Sequence, residues 1–257
     1  PFYITTTLPY VNADPHIGFA LELVQADAIA RYHRSRGEEA VFNTGTDEHG
    51  KKIYERARGE GKDPQAYVDE YAAKFKELTS LLDASTTHFI RTSDVRHKSA
   101  AQEFWRRCAA AGDIYKKSHE GLYCVGCEAF YAPGELTADG ECLEHPGRKL
   151  EPVAEENYFF RLSRYQDQLR ELIAADALKI LPETRKNEVL AFLGRPLEDI
   201  SISRSNERAR NWGVPVPGDP AQRIYVWFDA LNIYQSGVGF GWDEERYRRW
   251  WPADLHL

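Results

Sequence analysis

The sequence contains no methionine, only four cysteines and no apolar run close to the roughly 20 residues that a membrane-spanning helix needs. Residues 1–7 also lack the basic start and the apolar stretch of a secretory signal peptide. These absences argue against a membrane protein and against export, so we expect a soluble, cytoplasmic protein with no membrane partner. Because methionine is missing, we do not expect Pro1 to be the translated start.

The charge balance limits the choice of partners. Lys and Arg number 33 against 40 Asp and Glu, which gives a net charge of -7. The overall field therefore does not attract nucleic acid, and any contact with RNA must use a local basic patch. Six scattered basic residues are candidates for phosphate contacts, although such residues are usually solvated surface: Lys116, Lys117, Arg161, Arg164, Arg185 and Lys186.

The first part of the chain has the pattern of a strand, a helix and a second strand. Residues 1–7 alternate in the manner of an edge strand, and turn-forming Pro, Asn and Asp residues follow them. Apolar residues then recur at helical spacing from Ile17 to Tyr32, and Gly37 ends the helix. Residues 40–44 predict a second, buried strand. A βαβ unit of this kind implies a parallel sheet with a right-handed crossover.

Further along the chain, the pattern predicts more helices and two more strands. The helices are expected at residues 51–60, 64–82, 94–111, 165–174 and 182–193, and the strands at residues 87–91 and 224–228. We expect the strand at 224–228 to lead into a helix at Asp229 and to return the chain to the parallel sheet. Short hairpin-like segments are expected from about Asp113 to Phe160.

Together these elements predict an α/β fold, a Rossmann-like doubly wound parallel sheet that is interrupted by an inserted domain. We expect residues 1–112 to form the first half of the sheet domain and residues 113–210 to form the insertion. Residues 211–257 are expected to begin the second half, which the chain leaves incomplete at Leu257.

Three of the four cysteines cluster in the insertion and are followed by a histidine. Cys124 and Cys127 form one pair, and Cys142 and His145 form a second pair with the same short spacing. Two tight turns with two ligands each can bring four ligands into a tetrahedron around Zn²⁺. Because four protein ligands leave no open coordination position, we expect one structural zinc ion per chain. Buried thiols beside a chance histidine are the alternative.

Two polar turns follow the first two predicted strands. Residues 6–12 and residues 45–50 are both expected at the carboxyl end of the sheet, where ligands bind in open α/β folds. His16 and Gly18 stand at the mouth of the first helix, where backbone N–H groups and the helix dipole favour phosphate. From this short motif alone, a plain helix start with a surface histidine is the better interpretation. Two polar turns that converge on one crevice favour a ligand site instead.

Four sequence blocks, in this order, resemble class I aminoacyl-tRNA synthetases and, within them, the methionyl-tRNA synthetase family closely. The amino-acid and ATP signature of that family is found at residues 9–19, and its polar turn at residues 45–50. Two further blocks are found at residues 201–204 and 225–230, so the resemblance covers essentially the whole chain. One position departs from the family, because Phe19 stands where the signature normally ends in a second His.

The resemblance implies the activity, the substrates and the site residues. Methionine is joined to ATP, which is used with Mg²⁺, to give methionyl-adenylate, and the methionyl group then passes to tRNA(Met). His16 and Gly18 are implied as catalytic residues, and the implied ATP-binding residues are Asn12, His16, Gly18 and Phe19. Asp47 is implied to pair with the ammonium group in a methionine site made of Leu8, Tyr10, Asp47, Trp227, Ala230 and Tyr234. The insertion matches the connective-peptide domain of the family.

Two other functions stay open. A class I synthetase for cysteine or a branched aliphatic amino acid is one, although Tyr10, Trp227 and Tyr234 favour methionine and the insertion is too short for a separate editing domain. A non-catalytic tRNA-binding relative is the other, which Phe19 favours because its ring cannot donate a hydrogen bond to developing charge. The family's second ATP-binding loop is expected beyond Leu257, so we expect impaired amino-acid binding and little activation from this chain by itself.

Overall fold

The computed structural model describes residues 1–127, 129–131, 136–137, 139–147 and 150–257. In chain order its strands are β1 (Phe2–Thr5), β2 (Ala40–Thr46), β3 (His88–Arg91), β4 (Ile114–Cys124), β5 (Ala129–Tyr131), β6 (Glu151–Phe160), β7 (Ile200–Ser201), β8 (Ser203–Ser205), β9 (Pro215–Val216), β10 (Asp219–Ile224) and β11 (Leu255–His256). Its α-helices are α1 (Ile17–Ser35), α2 (Lys51–Gly59), α3 (Pro64–Leu81), α4 (Val95–Ala110), α5 (Gln166–Ala174), α6 (Glu183–Leu193), α7 (Asn206–Ala209), α8 (Val226–Ala230), α9 (Ile233–Ser236) and α10 (Glu244–Trp250). A short 3-10 helix, Leu162–Tyr165, precedes α5.

A four-stranded parallel sheet lies at the centre of the fold, in the order β11-β1-β2-β3. Each strand pairs in parallel with its neighbour, for example Ile4 with Phe42 and Thr44 with Phe89. The predicted α/β fold with a Rossmann-like parallel sheet is confirmed. The expectation of an edge strand at residues 1–7 is wrong, because β11 returns from the far end of the chain and pairs with the second side of β1.

Both faces of this sheet are covered, as a doubly wound fold requires. One face carries Ile4 and Phe42, which pack against α1. The other face carries Tyr3 and Val41, which pack against Val238 and the aromatic residues that follow it. Because successive strand residues point to opposite faces, this double cover buries nearly all of β1 and β2.

The predicted helices at residues 51–60, 64–82, 94–111, 165–174 and 182–193 are confirmed, with bounds that differ by at most one residue at each end. Local chemistry explains where they begin. α3 starts with Pro64, and the Asp63 carboxylate accepts hydrogen bonds from the N–H groups of Gln65 and Ala66. Asp94 caps α4 in the same way. Among the helices of the described residues, none is long and apolar enough to cross a membrane.

An antiparallel arm occupies the middle of the chain. β4 and β6 pair from Ile114 opposite Phe160 to Tyr123 opposite Glu151, and β5 and β7 extend the sheet on either side. The pair Cys124 and Cys127 lies at the far end of β4, and α5 and α6 follow β6. An antiparallel region is therefore inserted before the parallel sheet resumes. The division into residues 1–112, 113–210 and 211–257 stays a prediction.

The predicted strand at residues 224–228 is wrong. Strand β10 ends at Ile224, and the Asp229 N–H group donates to the Tyr225 carbonyl oxygen at 2.9 Å in the first turn of α8. A run of five apolar residues fits a buried strand and a short helix equally well. The parallel sheet does not resume here either, since β10 pairs in antiparallel fashion with β8 and β9. It resumes only at β11.

Gly45 in β2 marks a close approach between two strands. A Cβ atom at this position would lie 1.8 Å from the carbonyl oxygen of Ile90 in β3. We expect Gly45→Ala to lower the free energy of unfolding by about 3 kcal/mol, because the paired strands must move apart within the core. Gly59→Ala is the matched control, since nothing lies within 4 Å of its added Cβ atom. Urea unfolding measures both variants, and equal midpoints would contradict this expectation.

Candidate functional site

The two polar turns lie side by side at the carboxyl ends of β1 and β2. The Asp47 N–H group donates to the Pro9 carbonyl oxygen at 3.0 Å, and the Val11 N–H group donates to the Asp47 carbonyl oxygen at 3.1 Å. Tyr10 and Asp47 thereby form an isolated parallel bridge beyond the ends of the strands. Backbone hydrogen bonds therefore fix where Asp47 lies.

A cavity of about 390 Å³ lies between these turns and the helices α8 and α9. It is lined by all six residues of the predicted methionine site: Leu8, Tyr10, Asp47, Trp227, Ala230 and Tyr234. An apolar, aromatic cavity with a few convergent polar groups is typical of a site for a small ligand. The structure brings the six residues together, and their individual roles stay predictions.

Six further residues line the same cavity, and sequence reasoning missed them: Thr7, Lys52, Gly126, Cys127, Val226 and Leu231. Among the described lining residues, Lys52 is the one base and Asp47 the one acid, so the cavity offers both charges that a zwitterionic amino acid needs. Lys52 lies in the first turn of α2, directly after the polar turn at 45–50, and this adjacency is a signal that points to it. Cys127 comes from the antiparallel arm, and no local pattern places it here.

The predicted phosphate-binding residues lie at the start of α1, outside this cavity. His16 is the N-cap of α1, with an extended backbone, and its Nδ1 accepts a hydrogen bond from the Gly18 N–H group at 3.1 Å. The neighbouring Ile17 is 88% exposed, so the positive end of a 19-residue helix faces solvent. This geometry suits an anion such as phosphate.

Phe19 turns toward the core, whereas Asn12 stays in the turn before α1. The Phe19 ring meets Phe75 edge-on, with ring centroids 5.5 Å apart, and lies 4.3 Å from the His16 ring. It is half-buried and packs against an apolar cluster formed by Val11 and buried residues of α2 and α3. The Asn12 N–H group donates to the Tyr10 carbonyl oxygen at 2.8 Å and shapes the turn. Phe19 therefore has a packing role whatever else it does.

The predicted metal ligands are also brought together. The ligand atoms of Cys124, Cys127, Cys142 and His145 all lie within 4.8 Å of one another. Cys127 Sγ lies 3.4 Å from Cys142 Sγ and 3.1 Å from His145 Nδ1. A disulfide bond needs a sulfur–sulfur distance of about 2.05 Å, whereas zinc–sulfur bonds of about 2.3 Å in a tetrahedron place the sulfur atoms about 3.8 Å apart. The Cys3His cluster is therefore compatible with zinc.

Two further features of the cluster suit a metal ion. A Cβ atom on Gly126 would lie 2.5 Å from the His145 ring, so a glycine is needed for the ring to reach the cluster. Burial opposes ionisation of the Cys142 thiol, but hydrogen bonds with Cys127 and His145 outweigh it and lower the pKa of Cys142, whereas burial raises the pKa of Cys127. Because the thiolate is the form that binds zinc, Cys142 is the member of this pair that more readily offers a thiolate to a metal ion.

Two buried carboxylates near the cavity were missed by sequence reasoning. Glu48, in the turn after β2, accepts hydrogen bonds from Arg91 Nε at 2.6 Å and Arg91 Nη2 at 2.8 Å. Asp229, in α8, accepts them from His49 Nδ1 at 2.5 Å and His97 Nε2 at 2.7 Å. Burial opposes ionisation of Asp229, but the charge and hydrogen bonds of the two histidines outweigh it and hold its pKa at about 2. The carboxylate is therefore ionised at neutral pH.

The fold and the site together define an α/β protein with a doubly wound parallel sheet and a candidate small-ligand site at the carboxyl ends of its strands. The sheet is doubly wound, polar turns lie at the carboxyl ends of β1 and β2, and a Cys3His cluster lies in the insertion. The family model described as tRNA synthetases class I (M) matches residues 2–257. The chain belongs to the methionyl-tRNA synthetase family.

Several relatives align with the whole of this chain. The methionine–tRNA ligase of Thermotoga maritima is 47% identical over 259 residues, which are 100% of this chain and 40% of the relative. That of Synechocystis is 46% identical over 261 residues, which are 100% of this chain and 48% of the relative. The chain thus spans about half the length of these relatives or less.

Solved structures are similar over the same range. A crystal structure of Mycobacterium tuberculosis methionyl-tRNA synthetase bound by methionyl-adenylate has a TM-score of 0.92 and 43% identity. The match covers 100% of this chain and 51% of that one. The free form of the same Mycobacterium tuberculosis protein has a TM-score of 0.82. The fold described above is therefore closer to the adenylate-bound form than to the free form.

Proposed function

We propose that this chain forms the methionine- and ATP-binding part of a methionine–tRNA ligase. The whole protein joins the methionine carboxylate to the α-phosphate of ATP, releases pyrophosphate, and passes the methionyl group to tRNA(Met). The observation that carries this proposal is the convergence of six side chains from both ends of the chain on one cavity. Relatives that are 46% and 47% identical bear this name, and a structural relative binds methionyl-adenylate.

In this proposal the cavity recognises methionine by charge and by shape. Asp47 pairs with the ammonium group and Lys52 with the carboxylate; both residues line the cavity and come from the segment that follows β2. Tyr10, Trp227 and Tyr234 surround the thioether, together with Ala230 and Leu8. Contacts between sulfur and aromatic rings contribute roughly 0.3–1.5 kcal/mol each, so aromatic walls favour methionine over a branched aliphatic side chain.

ATP is proposed to bind beside this cavity, at the start of α1. The helix N-terminus and His16 hold phosphate oxygens, while Gly18 lets the nucleotide approach the backbone. Asn12 and Phe19 complete this part of the site, and Mg²⁺ enters with ATP. The chemistry requires alignment and neutralisation of charge rather than a protein nucleophile. Phe19 donates no hydrogen bond, so transition-state stabilisation of about 3–4 kcal/mol of the kind that such donors give must come from elsewhere.

The Cys3His cluster is proposed to hold one structural zinc ion per chain. Its four ligands are Cys124, Cys127, Cys142 and His145, which leave no coordination position for water or substrate. Zinc at this position stabilises the end of the antiparallel arm, where Gly126 and Cys127 form part of the cavity wall. The metal therefore supports the shape of the methionine site without taking part in the reaction.

A thermal-shift titration of the protein with amino acids tests the proposed function. A ligand that binds only the folded state stabilises it by RT ln(1 + [L]/Kd), which is about 2.7 kcal/mol at 100 times Kd. We expect the melting temperature to rise with methionine and to stay unchanged with cysteine, valine, leucine and isoleucine.

N-acetylmethionine is the matched control ligand in this titration, because it keeps the thioether and lacks the ammonium charge. A rise with leucine or cysteine instead of methionine would point to another class I synthetase. No rise with any amino acid, in a protein that melts cooperatively, would point either to a cavity that needs the parts of the relatives that this chain does not cover or to a non-catalytic relative that has retained the fold. The same titration of the full-length protein distinguishes the two.

A further inference from the structure

A buried hydrogen-bond chain lies directly behind the methionine cavity. Asp229 Oδ2 accepts from His49 Nδ1 at 2.5 Å, and Asp229 Oδ1 accepts from His97 Nε2 at 2.7 Å. The other ring nitrogen of His97 lies 2.9 Å from the hydroxyl oxygen of Ser236. All four residues are buried, with exposed fractions of 0–2%. We call these four residues the His–Asp–His chain.

Each end of the His–Asp–His chain is joined to a wall of the cavity. His49 comes two residues after Asp47, which faces the cavity from the turn after β2. Asp229 lies in α8 between the lining residues Trp227 and Ala230. Ser236 likewise follows the lining residue Tyr234 in α9. The His–Asp–His chain thus connects the wall that carries Asp47 to the walls that carry Trp227, Ala230 and Tyr234. His97 is a residue of α4, so it also joins these walls to that helix.

Simple stabilisation is a weak explanation for this arrangement. Burying a carboxylate is costly, and apolar side chains of similar volume often stabilise a protein as well or better. Hydrogen bonds differ from apolar contacts because they fix the distance and direction between two groups. A small ligand held at both ends requires walls at a fixed separation, to within about 0.5 Å.

We infer that the His–Asp–His chain is a positioning device that fixes the separation between Asp47 and the wall of Trp227 and Ala230, and thereby sets the affinity for methionine. The effect on affinity rests on the proposed function, whereas the effect on the geometry of the walls does not. Neither histidine lines the cavity, so both act through their neighbours and not by contact with the substrate.

Two substitutions of His97 separate this role from general stability. His97→Gln places an amide near the position of Nε2 and retains the hydrogen bond to Asp229, while it loses the one to Ser236. His97→Asn places its amide near the position of Nδ1 and does the reverse. His97→Asn removes a hydrogen bond from a buried, ionised carboxylate and should lower the melting temperature more than His97→Gln, which removes one from a hydroxyl group. Titration well below both melting temperatures keeps both variants folded, so unfolding does not contribute to a difference in affinity.

Methionine affinity is expected to differ between the two variants. Isothermal titration should give a Kd at least tenfold higher for His97→Asn, and less than threefold higher for His97→Gln, than for the unmutated protein. Ser236→Ala is a further control, expected to match His97→Gln. An equal change of Kd in both His97 variants, measured while both are fully folded, would overturn the inference.

Hydrogen–deuterium exchange gives an answer that does not depend on methionine. In the ligand-free protein, amides of residues 45–50 and 226–236 should exchange faster in His97→Asn than in His97→Gln. Equal exchange in the two variants would overturn the positioning role. If the unmutated protein does not bind methionine and the exchange rates still differ, the proposed function fails and the positioning of the two walls stands.

Discussion

Asp47→Ala is expected to weaken methionine binding at least 100-fold. Asp47 is the one acid among the described residues that line the cavity, so its removal leaves the substrate ammonium group without a counter-charge. Truncating one partner of a buried, hydrogen-bonded charge pair costs roughly 2–5 kcal/mol, and about 2.8 kcal/mol corresponds to a 100-fold change in affinity. Isothermal titration with methionine measures the loss.

The fold is expected to tolerate this substitution. Asp47 is tied to Pro9 and Val11 through its backbone N–H and carbonyl groups, which alanine also has. The melting temperature without ligand should therefore stay within a few degrees of that of the unmutated protein. A large loss of stability in Asp47→Ala would mean that the carboxylate has a structural role.

Asp47→Asn is the matched control for shape. Asparagine keeps the size of the side chain and its ability to form hydrogen bonds, and it removes only the charge. We expect it to lose most of the affinity that Asp47→Ala loses, because recognition of the ammonium group depends on charge. An unchanged Kd in either variant would exclude Asp47 as the ammonium partner.

Cys142→Ser is expected to remove zinc from the protein. Cys142 is completely buried and is one of only four ligands in the described cluster, so its loss leaves an incomplete and strained site. Structural zinc contributes roughly 10–16 kcal/mol in zinc-finger peptides, and the described apolar clusters include no residue from this end of the antiparallel arm. Elemental analysis should find one zinc ion per unmutated chain and no measurable zinc in the variant.

The consequences of zinc loss should be local. The parallel sheet is held by separate apolar clusters around Ile4 and Tyr3, so its cooperative unfolding should persist. The affinity for methionine should fall, because Gly126 and Cys127 form part of the cavity wall.

Cys108→Ser is the matched control for the zinc experiment, since Cys108 lies in α4 and outside the cluster. It should retain both the metal and the affinity for methionine. Equal zinc contents in the two variants, or no zinc in the unmutated protein, would contradict the proposed metal site.

The periodicity of apolar residues was sufficient to predict the long helices, and it was insufficient to predict the conformation of short segments. Helices such as α3 and α4 extend over several turns and begin at an Asp cap, so spacing and capping agreed on their position. The segment at residues 224–228 offered only five apolar residues, and its conformation depended on tertiary contacts. In the folded chain Asp229 lies between two histidines, in the helical turn that follows Tyr225.

The residues of the candidate site divide in the same way, into those that a local sequence pattern identifies and those that only the fold brings to the site. The residues around Asp47, the segment from Asn12 to Phe19 and the cysteine pairs are local blocks, and the sequence identified them directly. Lys52 and Asp229 were missed, although each lies within a few residues of a recognised position. Cys127 was predicted as a metal ligand, and its place in the cavity wall was not foreseen.

By itself the sequence determined the kind of fold, the order of the six helices α1 to α6 and the four members of the Cys3His cluster. These depend on which residues repeat, cap or pair over short distances along the chain. Only the tertiary structure decided that β11 pairs with β1, and that Asp229 meets His49 and His97, which are 180 and 132 residues away in the sequence. The physical reason is that periodicity reports local backbone conformation and the side that is buried. Contacts between distant segments depend on how the whole domain packs.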